Sequence, residues 1–87
     1  MSDLPTLEAF RGWIGERFAV GDRVVLVLVE AEARGEDAFG LRFRGPAEPL
    51  LEQATYRLER EDGDALEIFI VPIGRDEAGV VYEAIFA

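Results

Sequence analysis

Hydrophobic residues recur at helical spacing near the start of the chain. Leu7, Phe10 and Ile14 fall at positions i, i+3 and i+7, which places them on one stripe of a short helix. Asp3 or Thr6 can cap this helix, because a short polar side chain accepts hydrogen bonds from the free N–H groups of the first turn. The pattern predicts one N-terminal α-helix of about two turns.

From Glu16 onward the hydrophobic positions follow the two-residue period of β-strands. The pattern predicts six strands, over residues 16–20, 23–34, 38–44, 54–60, 65–73 and 80–86. Residues 21–22 and 61–64 are typical of tight turns, and residues 46–53 and 74–79 are predicted to be loops. Six strands with short connections predict a mainly β fold, a small antiparallel β-barrel or sandwich with one short N-terminal α-helix closing an end or a face.

Two of the predicted strands are hydrophobic on both faces. Residues 24–29 and 68–71 contain no polar position, although an antiparallel strand with one exposed face should alternate. The second face of these strands therefore needs a cover. Phe10, Trp13 and Ile14 of the helix are the first candidates, and a subunit interface is the alternative, because large exposed apolar patches usually mark partners.

The length and hydropathy of the chain limit its organisation. Its 87 residues are enough for one domain spanning residues 1–87. The longest apolar run, residues 24–29, is far shorter than the roughly 18 residues that cross a bilayer. The N-terminus has no basic region before an apolar stretch, and the chain contains no cysteine. We therefore expect a cytoplasmic protein that does not act at a membrane.

The net charge of −9 argues against nucleic acid as a partner. Eighteen acidic residues face nine arginines, and there is no lysine. Affinity for nucleic acid rests largely on cations that displace the counterions of the phosphate backbone. An acidic surface repels that backbone, so we expect no nucleic-acid binding.

The chain lacks most of the residue types that carry catalysis. With no histidine, cysteine or lysine, it can form no Ser-His-Asp or Cys-His arrangement, no Schiff base and no common zinc site. Residues 61–64 and 76–77 lack the alternating ligands of a calcium loop. Paired carboxylates are the remaining route to acid–base chemistry. We therefore predict that the protein is not an enzyme and that it holds no metal or other cofactor.

The arginines and the single tryptophan are the candidate interaction residues. Residues 42–60 hold four arginines and three acids, whereas the rest of the chain holds five arginines and fifteen acids. If strands 38–44 and 54–60 are neighbours, Arg42, Arg44 and Arg57 share an outer face that can dock an acidic segment or a carboxylate. The alternative is a solvated face whose ion pairs contribute under about 1 kcal/mol each.

Trp13 lies one residue off the hydrophobic stripe of the helix. It either caps an end of the core or anchors an interface, a role that tryptophan often fills.

Three segments carry a resemblance to a known family. They are TLEAF, FGLRFRGPAEPLLEQATYRLER and EIFIVPIGRDEAGVVYEAIF. Their pattern, F-x-L-x-F-R-G-P, then Y-x-L-E, F-x-V-P-I-G and Y-E-A-x-F, resembles a family of small bacterial domains of unknown function. Some members are similar in genomic setting to accessory genes of phage-tail or tail-collar-like proteins. The resemblance implies a bacterial cytoplasmic protein or part of a phage-like particle, and it implies no catalytic residue.

Three functional hypotheses remain. The first is a non-catalytic protein-interaction or assembly module, with a phage-tail-like particle as the setting that the resemblance implies. Its partner is another protein or a second copy in a homodimer. The second is a small-molecule-binding β-barrel lined by Phe, Tyr and Leu, although side chains fill the interior of small barrels. The third is an enzyme that uses paired carboxylates.

Overall fold

The N-terminal hydrophobic stripe forms a short helix. In the computed structural model, which describes residues 5–86, α1 spans Leu7–Gly12. The hydroxyl of Thr6 caps it by accepting a hydrogen bond from the N–H of Ala9 at 3.2 Å, as predicted, and Asp3 lies outside the described residues. The helix ends before Ile14, whose side chain is exposed, so the predicted stripe is shortened to its first two members.

The six predicted strands all form, and they close into an antiparallel barrel. They are β1 (Arg17–Val20), β2 (Val24–Ala33), β3 (Phe39–Gly45), β4 (Ala54–Arg60), β5 (Ala65–Asp76) and β6 (Gly79–Phe86). Their order around the barrel is β1-β2-β3-β6-β5-β4, and β4 pairs back with β1. The closing ladder is short and consists of Phe18 opposite Arg60 and Ala19 opposite Glu59. Because β4 pairs back with β1, the fold is the predicted barrel and not the sandwich.

The predicted loop 74–79 is instead the tip of a hairpin. β5 continues to Asp76 and β6 begins at Gly79, so only two residues form the turn. A carboxylate oxygen of Asp76 accepts the N–H of Ala78 at 2.8 Å and stabilises this turn. Gly79 has a φ of 128° and lies so close to Gly45 that a Cβ would overlap the Gly45 carbonyl oxygen. The sequence GRDEAG predicts a loop, because its polar residues and glycines give no local sign of these contacts.

A β-bulge ends the doubly hydrophobic run in β2. The register shifts between Leu28 and Glu30, so the inward-facing positions change from even to odd numbers along the strand. Before the bulge Val25 and Val29 point outward and remain 45% and 42% exposed. The helix does not cover them, so the prediction that it would cover the second face of this strand is wrong.

The helix closes one end of the barrel instead. Phe10 is fully buried, and its ring lies 5.8 Å from that of Phe39 and 5.7 Å from that of Phe86, at the start of β3 and the end of β6. No helix within residues 5–86 is long and apolar enough to span a bilayer.

The opposite end of the barrel is crossed by the connection between β3 and β4. These two strands lie on opposite sides of the ring, so residues 46–53 must pass over the end between them. Leu51 packs against the core, and its N–H donates a hydrogen bond to the Tyr82 hydroxyl at 2.9 Å. Between the two ends the interior is filled by side chains, and the rings of Phe18 and Phe43 meet edge to face at 5.4 Å.

Candidate functional site

The three predicted interaction arginines do not share a face. Arg42 and Arg44 lie on β3 and Arg57 lies on β4, and these strands are three positions apart in a ring of six. A shared basic face required β3 and β4 to be neighbours, and they are not. The arginines are separated because the connection 46–53 crosses the barrel end instead of forming a hairpin between β3 and β4.

Arg42 takes part in ion pairs within the barrel wall. Its Nε lies 3.7 Å from an Oε of Glu83, which stands opposite it on β6. Arg34 reaches the same Glu83 oxygen at 2.9 Å by crossing over Gly40, where a Cβ would collide with its guanidinium. Two guanidinium groups thus share one carboxylate, and the Arg42 side chain remains 42% exposed.

Arg57 lies on an outer face that is rich in acids. It stands opposite Glu67 on β5, with Glu59 two residues further along its own strand. The shallow depression beside it also contains Asp22 and Glu59. These surroundings are those of the solvated face that was the alternative for Arg57.

Trp13 closes the helical end of the core. Its ring meets that of Phe10 edge to face at 5.3 Å, and the guanidinium of Arg60 lies over its other side at 3.9 Å from the ring centroid. Arg60 is held in place by Glu16 at 3.0 Å and Asp62 at 2.8 Å. Trp13 thus packs against the core, and its predicted role as an interface anchor stays a prediction.

Arg44 projects from β3 on the outer wall of the barrel. Its NH1 donates to Oδ1 of Asp76 at 2.7 Å. This hydrogen bond, together with the N–H of Ala78, holds the pKa of the Asp76 carboxyl below its usual value. On the other flank Arg44 stands opposite Val27 of β2. The arginine is thus fixed at the border of a hydrophobic surface.

That surface is a groove along the outside of β2. We call it the β2 groove and define it by its principal lining residues, Arg23, Val25, Val27, Val29, Arg44 and Pro46. Its volume is about 560 Å³, and none of its lining residues is acidic. The hydrophobic run 24–29 was the sequence signal for this site, because it predicted a strand with a second apolar face.

A third arginine borders the groove from the neighbouring strand. Arg17 of β1 stands opposite Val27, so Val27 lies between Arg17 and Arg44 on adjacent strands. Within residues 5–86, neither Arg17 nor Arg23 has an acidic group within 4.0 Å. On the β1 side Arg17 shares a second depression with Glu59 and Glu61. The groove lining itself is basic and apolar, on a chain with a net charge of −9.

Other parts of the outer wall also carry exposed hydrophobic residues. They are Phe69 and Ile73 of β5 and Ile85 of β6. In the part of the chain that the structure describes, no three acidic side chains come together in a way that could hold a metal ion. The β2 groove is the surface on which an apolar lining and basic groups coincide.

The fold places the chain among small, closed antiparallel β-barrel domains. It belongs to the family described as Domain of unknown function (DUF6916), whose sequence model matches residues 5–86. This match confirms the predicted resemblance to a family of small uncharacterised domains. No curated protein and no solved structure matches the chain significantly.

Proposed function

We propose that the protein is a non-catalytic interaction or assembly module that binds another protein through the β2 groove. The observation that carries this proposal is the exposure of Val25 and Val29 on the outside of a closed barrel. An outward-facing strand position is normally polar when it meets only water. Exposed apolar side chains that line a groove are typical of a surface that a partner covers.

The outward face of β4, two strands away from β2 around the barrel, provides an internal comparison. The outward positions of β4 are Thr55, Arg57 and Glu59, all polar and exposed. The fold therefore does not require valines at outward positions. Since hydrophobic residues on the outside of β2 do nothing for the core, their presence supports a binding role for this face.

The packed interior supports binding on the outside of the barrel. Inward-facing residues such as Leu26, Leu41 and Leu58 are fully buried in one continuous cluster. The hypothesis of a small-molecule carrier needs an interior space of roughly 300 Å³ or more. Side chains that meet across the barrel centre, as Phe18 and Phe43 do, leave the outer groove as the better binding surface.

A phage-tail-like particle is the setting that the family resemblance suggests for this module. We include it in the proposal as the place where an assembly partner is to be sought first. Recovery of the protein in purified tail-like particles from the cells that encode it tests this setting.

Site-specific crosslinking in those cells tests the binding role. A photoreactive phenylalanine analogue replaces Val29 in the groove in one variant and Thr55 on β4, outside the groove, in another, because both side chains are exposed. We expect a discrete protein adduct from position 29 and a much weaker one from position 55. Equal yields of the same adducts from both positions would contradict the proposal.

A further inference from the structure

We infer that the β2 groove binds an extended acidic segment of a partner protein, in which an apolar side chain lies between two carboxylates. This inference rests on the proposed function, because it names the kind of partner that the same groove fits. It follows from the charge of the groove, the spacing of its arginines and the pairing of its strands.

The charge of the groove is opposite to that of the chain. Its lining contains Arg23 and Arg44 and no acidic residue, and Arg17 stands beside it. The chain as a whole carries −9. Complementary potential at an interface selects partners by sign, so a basic groove favours a segment that carries carboxylates. Guanidinium groups bind carboxylates in particular, because their planar fork matches both oxygens.

The spacing of two of the arginines indicates the pattern of the segment. Arg17, Val27 and Arg44 form a row across three adjacent strands. Neighbouring strands lie roughly 4.8 Å apart, so the outer two Cα atoms are separated by roughly 10 Å. In an extended segment, side chains two positions apart point the same way at a spacing of roughly 6.6 Å. A segment that crosses the groove at Val27 with the pattern acid-x-apolar-x-acid has its acids roughly 13 Å apart. Its apolar residue then lies on Val27, and the long side chains of Arg17 and Arg44 reach outward to one carboxylate each.

The ion pair with Asp76 leaves Arg44 able to bind such a carboxylate. Only NH1 of Arg44 donates to Asp76, and its other guanidinium N–H groups donate to no residue between 5 and 86. The side chain is 34% exposed. Asp76 thus fixes the position of Arg44 without using its full hydrogen-bonding capacity.

The strands on both sides of the groove are already paired. At Val27, β2 is hydrogen-bonded to β1 on one flank and to β3 on the other. A partner cannot add a strand to an edge here, so it must bind the outer face through its side chains. This is why the recognition depends on the arginines and valines rather than on free backbone groups.

A symmetric homodimer fits this groove poorly. In a two-fold interface each residue near the axis faces its own copy. Two copies joined at Val27 would bring Arg17, Arg23 and Arg44 of both chains together, and like charges at an interface are unfavourable. The groove chemistry therefore favours a different protein with acidic residues.

Charge reversal of the two arginines that lack ion pairs tests the inference. Arg17→Glu with Arg23→Glu changes the groove and breaks no ion pair within residues 5–86. The control is Arg57→Glu on β4, which does not line the groove. With the crosslinker at position 29, we expect the double variant to lose roughly ten-fold or more of the adduct, since each exposed pair is worth up to about a factor of five. Arg57→Glu keeps the adduct.

The crosslinked segment provides the second readout. Mass spectrometry of the adduct from position 29 should identify a segment with Asp or Glu two positions on either side of an apolar residue. Replacing those acids by lysine one at a time in the purified partner should weaken binding to the original protein, and the replacement that faces Arg17 should restore binding to the Arg17→Glu, Arg23→Glu variant.

The possible outcomes separate this inference from the proposed function. An adduct that maps to a neutral or basic segment, or that survives the charge reversal, overturns the acidic partner and leaves the binding role intact. An adduct with a second copy of the chain likewise overturns the inference. If position 29 yields no more adduct than position 55, the proposed function, binding through the β2 groove, is wrong.

Discussion

The guanidinium carbon of Arg60 lies 3.9 Å from the centroid of the Trp13 ring. This contact joins the segment after α1 to the last residue of β4, next to the short ladder that closes the barrel. The Arg60 side chain is only 13% exposed, and Glu16 and Asp62 neutralise its charge. The helical end and the closing seam of the barrel are thus stabilised by one group of side chains.

Trp13→Leu should destabilise the protein by about 1–3 kcal/mol, because it removes both the cation–π contact and the edge-to-face pair with Phe10. The free energy of unfolding in urea measures this effect. Ile14→Ala is the control, since Ile14 is the adjacent exposed residue and its loss should change stability by less than about 0.5 kcal/mol. Equal effects of the two changes would show that Trp13 does not hold this end of the barrel.

Gly79→Ala should cost more than Gly63→Ala. Both glycines have a positive φ, of 128° and 99°, so alanine is strained at either position. At Gly79 the added methyl also overlaps the carbonyl oxygen of Gly45, whereas at Gly63 it meets nothing within 4 Å. We expect the difference to be about 1–3 kcal/mol in unfolding free energy. A difference near zero would mean that β3 and β6 are not in close contact at this point.

Asp76→Asn should change how stability depends on pH. The Arg44 guanidinium keeps the pKa of the Asp76 carboxyl below its usual value in the folded protein. Ionised Asp76 therefore stabilises the fold above the ordinary aspartate pKa of about 3.9, and this contribution is lost as the pH falls through the lowered value. The melting temperature of Asp76→Asn should be lower than that of the original protein near pH 7, and the gap should shrink in acid.

Glu77→Gln is the matched control for this measurement. It removes the same charge from the neighbouring turn residue, which forms no ion pair within the described part of the chain. Its melting temperature should follow that of the original protein across the pH range. A gap for Asp76→Asn that stays constant down to about pH 2 would contradict the lowered pKa.

The local pattern of hydrophobic positions was enough to predict the helix and all six strands, because burial of one face is a local property of each strand. It did not predict which strands are neighbours. The position of β3 beside β6, and of β4 beside β1, depends on the path of residues 46–53 over the barrel end. The bulge after Leu28 also lies beyond the pattern, since it depends on pairing with β3.

The candidate site was predictable in its parts and not as a whole. The run 24–29 indicated an apolar outer face, and Arg44 was singled out by its local charge. Their contact at Val27 follows from strand register, which no short motif encodes. For the same reason Arg17 and Arg23 were overlooked and Arg57 was grouped with distant residues.

The affinity of the crosslinked partner for two matched variants tests the central claim most directly. Val29→Glu places a charge in the β2 groove, and Thr55→Glu places the same charge on β4, outside the groove; both positions are exposed, so both variants should fold. Titration calorimetry with the purified partner, after the melting temperatures confirm folding, compares them. We predict that Val29→Glu weakens binding by roughly ten-fold or more, about 1.4 kcal/mol, while Thr55→Glu binds like the original protein. Equal affinities for the two folded variants would contradict the β2 groove as the binding surface.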